Sequence, residues 1–371
     1  MADWSSLLQD LVRRVGDCLL AVSDVDYYMD MRAVCHNWRS AMADPRPPGD
    51  GADDLPFRPR HWVMLDEDNS KDDADAPCLF LNVRTGRYLR RRVAMLRDHV
   101  LVGASDGLLV LKKKNSCVIR VLLNPLTGSV VHFASPICGF RDIIVAVTGP
   151  APALVFHFGY IPLSPLEAWP GYEDETTNEV YFIANPTGEH CPVHFNGRFC
   201  FQSMAAHAGH VYVVDKKGSM FRIVGTEQGH CHGKLITKMD SDSDIFLVES
   251  AGELLLIRLG WRAAKVYRVN VERNVLEPVE GIGCRALFLG HRRCPSVDAD
   301  NLPSIDRNCI YYSVTECGID MIEWGAMYMY DLSNNGKRED IFGSIASYFT
   351  LLVRPLSLVQ VLLTCCNVLE E

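Results

Sequence analysis

Histidine and cysteine crowd together at four places in this 371-residue chain: His190-Cys191, His207 with His210, His230-Cys231-His232 and Cys365-Cys366. These are the residue types that hold structural zinc, which takes four ligands in paired short spacings such as C-x2-C with a second C-x2-C or H-x3-H. None of the four clusters has a correctly spaced mate, so no metal ligand is assigned. Asp298 and Asp300 are a second candidate, since two carboxylates could share general acid–base work. Aspartate is also a common turn residue, and the turn reading is the simpler one. The chain has no G-x-S-x-G elbow, no HExxH pair and no G-x-x-x-x-G-K-S/T phosphate loop. The expectation is a protein without catalytic residues and without a cofactor, hence not an enzyme.

The scaffold that would position any site is mostly strand. From Cys78 onward the chain repeats an apolar run, a turn holding Gly or Asn, and another apolar run. Val100–Gly103 passes through Ser105-Asp106-Gly107 to Leu108–Leu111, and Val118–Leu123 passes through Asn124-Pro125-Leu126-Thr127-Gly128 to Val130–Phe133. In these turns Gly supplies positive φ and Pro presets φ. The unit recurs as His210–Val214 with Met220–Val224, and as Phe246–Glu249 with Leu254–Leu259. Val211-Tyr212-Val213-Val214-Asp215, Val266-Tyr267-Arg268-Val269-Asn270 and Met327-Tyr328-Met329-Tyr330-Asp331 share one form, their tyrosines 55 and 61 residues apart. Repeats near 50 residues built of short strands are the signature of propeller blades. Closing blades into a ring protects strand edges. Residues 78–371 therefore read as a single β-propeller of about six blades, with a two-sheet sandwich array as the other arrangement.

Residues 1–44 differ in kind. Ser6 with Gln9 has the form of a capping box, and Leu7, Leu8, Leu11, Val12 and Val15 then make an apolar stripe at helical spacing. Gly16-Asp17 is expected to weaken or break that helix, and Ser23-Asp24 to cap the next. Met31, Val34, Cys35, Trp38 and Met42 fall at i, i+3, i+4, i+7 and i+11, predicting a third helix that stops at Asp44-Pro45. A piece this short cannot bury such apolar faces against itself. It either docks another protein or caps the β-domain. Residues 45–77 read as a Pro/Gly-rich and acidic linker that includes the first strand. The acidic run Asp66–Asp75 lacks the glycine and glutamate of a calcium loop. Arg84, Arg87, Arg90, Arg91, Arg92 and Lys112–Lys114 read as exposed strand faces and turns.

Bulk properties narrow the partners. A net charge of −9 disfavours nonspecific binding to nucleic acid or anionic membrane. The fourteen cysteines are scattered from Cys18 to Cys366 with no secretory segment ahead of them, which points to reduced thiols in cytoplasm or nucleus. The apolar stretch Ile345–Cys366 is cut by Arg354-Pro355 and reads as a packed strand and helix rather than a membrane span.

The order Trp4-Ser5-Ser6-Leu7-Leu8-Gln9-Asp10-Leu11-Val12, then Arg32-Ala33-Val34-Cys35-His36-Asn37-Trp38-Arg39, resembles the F-box pattern W-x-x-L-P-x-D-L-L and R-x-V-C-x-x-W-R. Leu8 stands where that family usually has proline. Asp106-Gly107-Leu108-Leu109, Leu122–Gly128, Phe288-Leu289-Gly290-His291-Arg292, Ser296–Ala299 and Asn308-Cys309-Ile310-Tyr311-Tyr312 resemble plant proteins, many from grasses, that join an F-box to a kelch-like β-propeller. The resemblance implies a substrate receptor of an SCF-type cullin–RING ubiquitin ligase. It implies that Leu7, Leu8, Leu11, Val12, Val34, Cys35 and Trp38 contact a Skp-type adaptor and through it a cullin, while the propeller takes an unknown protein substrate. The other reading is a propeller interaction scaffold with a degenerate F-box.

Overall fold

A computed structural model describes residues 7–45, 55–65, 77–114, 118–138, 143–148, 153–158, 179–183, 191–197, 199–225, 231–239, 243–260, 263–290, 293–317, 323–334, 337–340 and 358–367. Its strands form five hydrogen-bonded sheets. The first holds β1 (Trp62–Met64), β2 (Cys78–Asn82) and β3 (Tyr88–Arg91). The second holds β4 (His99–Ser105), β5 (Leu108–Lys113), β6 (Val118–Leu123) and β7 (Val130–Cys138). Eight strands make the third: β8 (Ile143–Thr148), β9 (Ala153–Phe158), β10 (Glu179–Ile183), β11 (Cys191–His194), β12 (Phe201–His207), β13 (His210–Asp215), β14 (Ser219–Gly225) and β15 (Cys231–Lys238). The fourth is β16 (Asp244–Ser250), β17 (Glu253–Leu259), β18 (Ala264–Asn270) and β19 (Val275–Val279). The fifth is ordered β21 (Ser296–Asp298), β20 (Arg285–Leu289), β22 (Cys309–Cys317), β23 (Glu323–Asp331), β24 (Lys337–Asp340). The fold is mainly β and a propeller. Five sheets stand where about six blades were expected, because β11 and β15 pair in parallel over Val193–Cys231 and His194–His232 and fuse two antiparallel meanders into one sheet.

The strands' residues explain why the sheets stack around an axis. On β13, Val211 and Val213 belong to the core shared with β8–β11, whereas Tyr212 and Val214 belong to the core shared with the fourth sheet. On β16, Ile245 and Leu247 face one neighbour, and Phe246 and Val248 the other. Successive side chains of a strand point to opposite faces, so a strand buried on both faces reads as a continuous apolar run. A further core joins the fourth sheet to the fifth through Leu255, Ile257, Leu287 and Ile310. The ring closes where the fifth sheet packs on the first. Leu81, Val83, Ala286, Phe288 and Tyr311 share one cluster with Leu362, Leu363 and Cys366 of helix α4 (Leu358–Asn367). The Val83 carbonyl accepts from the Asp298 N–H at 2.8 Å, and the Arg84 carbonyl accepts from Asn301 Nδ2 at 2.8 Å, across the same seam.

Turn chemistry follows the sequence. Asp106 (φ 54°) and Gly107 (φ 76°) close the β4–β5 hairpin, both in the left-handed region that a two-residue type I′ turn requires. A Cβ on Gly107 would lie 2.0 Å from the Pro59 carbonyl oxygen, so only glycine lets this tip rest on the preceding segment. Asn124 Oδ1 accepts from the N–H groups of Leu126 and Thr127 at 3.1 and 3.2 Å. The tyrosine repeat is followed only in part. Tyr267 and Tyr328 sit on β18 and β23, but Tyr212 is fully buried on β13, the second strand of its meander rather than the third. The strand expected before α4 lies outside the described residues. Among the described residues no helix is long and apolar enough to cross a membrane.

Candidate docking face on the helical head

Three helices precede the sheets: α1 (Gln9–Ala21), α2 (Val25–Val34) and α3 (His36–Ala41). Their limits correct the sequence reading at three points. Helix α1 starts behind Leu8, which makes no side-chain cap; Ser6 lies outside the described residues. The helix runs through Gly16-Asp17 without a break. Gly16 is a packing residue there: a Cβ on it would come 3.1 Å from both Met42 Cε and Tyr28 Cε2. The periodic run from Met31 to Met42 is two helices rather than one. Cys35 is extended (φ −158°, ψ 170°), ends α2, and accepts the Trp38 N–H on its Sγ at 3.5 Å.

The two arginines of the late motif hold this corner together. Arg32 Nη1 donates to the carbonyls of Met42, at 2.9 Å, and Ala43, and Nη2 lies 3.5 Å from Asp44. Arg39 Nε donates back to the Arg32 carbonyl at 3.2 Å, satisfying a C-terminal acceptor of α2. The Tyr28 hydroxyl donates to the Ala43 carbonyl at 3.0 Å. Burial raises the Tyr28 pKa against the opposing pull of Arg32, so the phenol stays a donor.

The seven residues singled out in the sequence divide between two sides. Val12 is buried with Val25, Tyr28, Ala41 and Met42, and Leu7 and Trp38 pack partly buried against that cluster. Cys35 is half-buried. Leu8 is 72% exposed, Val34 57% and Leu11 43%. Exposed Leu8 at the N-cap of α1 and exposed Leu11 and Val15 on it are three and four residues apart, with exposed Val22 one heptad further on just past the helix, which sets all four along one stripe. Leu8 holds φ −57°, close to the value a proline ring imposes.

The inward side of the head meets the sheets. Its buried residues share one cluster with Phe57, Trp62, Met64, Phe80 and Leu109, and the Tyr28 and Phe57 rings lie 5.4 Å apart. Arg87, read from the sequence as part of an exposed basic patch, bridges the two parts. Its guanidinium pairs with Asp26 and, at 3.8 Å, with Asp24, and lies 3.9 Å above the Tyr27 ring centroid. Nothing in its local sequence sets it apart from Arg84 or Arg90.

The remaining candidates fall elsewhere. Cys284, Asp298 and Asp300 place ligand atoms within 4.8 Å of one another. Asp298 is occupied as a turn former, accepting the Asp300 N–H at 3.2 Å, and Asp300 pairs with Arg307 at 2.9 Å. His207 and His210 face each other across the β12–β13 turn. Cys191 and Cys231, from two separate clusters in the sequence, come together across β11 and β15.

A family model described as KIB1-4 beta-propeller matches residues 80–342. No curated protein matches the chain. Among solved structures it is similar to BamB from Moraxella catarrhalis, at 16% identity and TM-score 0.27 over 50% of this chain and 49% of that one. It is also similar to an oligogalacturonate lyase in complex with manganese, at 11% identity and TM-score 0.36 over 71% and 70%. A third is apo AztD from Citrobacter koseri, at 8% identity and TM-score 0.32 over 74% and 86%. The chain spans about half the length of BamB. Likenesses this distant carry no argument about function.

Proposed function

From the premise that this chain belongs to the KIB1-4 beta-propeller family, whose model spans residues 80–342, we propose that it is the substrate receptor of an SCF-type cullin–RING ubiquitin ligase in cytoplasm or nucleus. The helical head takes a Skp-type adaptor in the manner of a plant F-box, and the kelch-like propeller presents the protein to be modified. Counted by meander, with the eight-stranded sheet taken as two, the proposed ring has six blades. The receptor performs no bond chemistry. It raises the effective concentration of substrate lysines near the transfer enzyme.

One observation carries the reading. The head spends its inward face on the sheets, yet leaves Leu8, Leu11, Val15, Val22 and Val34 in solvent as an apolar stripe on and just beyond α1 and at the end of α2. Contiguous exposed apolar side chains mark interaction surfaces. The scaffold reading rests on Leu8 at the family's proline position, and the proline-like φ of Leu8 weighs against it.

Capture of a purified Skp-type adaptor by the full chain tests this. Leu8→Asp with Leu11→Asp alters two exposed side chains and is expected to weaken capture at least about tenfold while leaving the melting curve in place. Val12→Asp does not belong in that test, because it would put a carboxylate into the head's core. A wild-type chain that captures no adaptor at micromolar concentration makes the scaffold reading the correct one.

A further inference from the structure

We infer that Cys191 and Cys231 are a redox modification site, closing reversibly to a disulfide at the seam between the two meanders of the eight-stranded sheet. The residues are 40 apart in sequence, and their sulfurs are 2.9 Å apart with no disulfide between them. A covalent S–S bond is about 2.05 Å, so closure asks for less than about 1 Å of movement. The seam is a short parallel pairing in which Val193 stands beside Cys231 and His194 beside His232. Cys231 belongs to the core that holds Phe201 and Phe221, and Cys191 packs against it from a partly buried position beside Phe195.

The two thiols differ in the way a two-step exchange needs. Cys191 is half-buried and reachable, whereas Cys231 is buried. Burial, with Cys191 adding to it, pushes the Cys231 thiol up to about 12. The first attack therefore belongs to Cys191. Its thiolate displaces one half of glutathione disulfide, forming a Cys191–glutathione mixed disulfide and releasing a glutathione thiolate. That thiolate takes up the Cys231 proton. The Cys231 sulfur then attacks the Cys191 sulfur, the bond to glutathione breaks, and a second glutathione leaves. Two protein thiols are oxidised and one glutathione disulfide is reduced to two glutathiones. Cytosolic disulfides of this kind are transient and redox-sensing rather than permanent. Exposed Cys18 and Cys200 are reachable as well, and each is expected to stop at the mixed disulfide.

The full-length chain is equilibrated in glutathione buffers from reducing to oxidising, quenched with N-ethylmaleimide and mapped by mass spectrometry. The expected product in oxidising buffer is one peptide pair joined through Cys191 and Cys231, about 2 Da lighter than the sum of its thiol forms and lost on adding dithiothreitol. Cys231→Ser is expected to hold glutathione on Cys191, and Cys191→Ser to lose the adduct at this seam. Full alkylation of both wild-type thiols after equilibration with excess glutathione disulfide overturns the assignment. So does zinc that copurifies at one equivalent and is released by either variant, since the pair would then be half of a metal site.

Discussion

At the scale of single residues, several positions owe their identity to contacts that sequence spacing hides. Gly16 reads as a helix breaker in isolation, yet it packs so tightly on Tyr28 and Met42 that a Cβ there would come 3.1 Å from both side chains. Arg32 and Arg39 belong to a motif read for docking, and their guanidinium groups are spent on backbone carbonyls inside the head. His61 is a third case, next to β1. Burial, followed by Arg84, Arg285 and Arg60, lowers its pKa below the ordinary 6.5. Between that lowered value and 6.5 the unfolded chain takes up a proton that the folded chain refuses. Stability is therefore full above about pH 6.5 and falls as the pH drops below it. His61→Gln is expected to flatten the fall in melting temperature between pH 7.5 and 5.5; an unchanged slope would assign the loss to other groups.

At the scale of elements, the strands were legible and the helix ends were not. The runs Phe246–Glu249 and Leu254–Leu259 announce themselves because both faces are buried against neighbouring sheets, leaving no polar alternation. The break at Cys35 was hidden because apolar periodicity continues across it from α2 to α3. The fusion of two meanders through β11 and β15 was hidden as well, since two residue pairs of parallel ladder leave no pattern. The junction of head and body depends on Arg87, whose removal strands Asp26, a carboxylate only 9% exposed. Arg87→Ala is expected to cost about 2 kcal/mol in urea unfolding and to speed amide exchange in α2 more than in β16–β19. An equal change in both regions would show that Arg87 does not act at this junction.

At the scale of the whole molecule, the fourth sheet shares a core with each of its neighbours, and the core that joins the fifth sheet to the first is also filled by α4. Leu362 is fully buried there beside Leu81 and Phe288. Leu362→Ala is expected to destabilise by about 3 kcal/mol, with amide exchange rising in both the first and the fifth sheets. A rise in the fifth alone would mean that α4 braces one sheet and does not join two. Repetition of strand and turn made the ring legible. Its closure was not, because the partners at the seam lie at opposite ends of the described chain and no local pattern connects them.

That seam also sets a timetable for synthesis. Leu81 leaves the ribosome roughly 280 residues before Leu362, which at about 5–20 residues per second is roughly 15–55 s. Through that interval the first sheet waits without its closing partner, its fifth-sheet face open. The head needs no such partner, for the buried residues of its core are all made once Leu126 has been added. The nascent chain thus holds a finished α1 stripe while its ring is still open, so the proposed adaptor would find its docking face before the propeller exists.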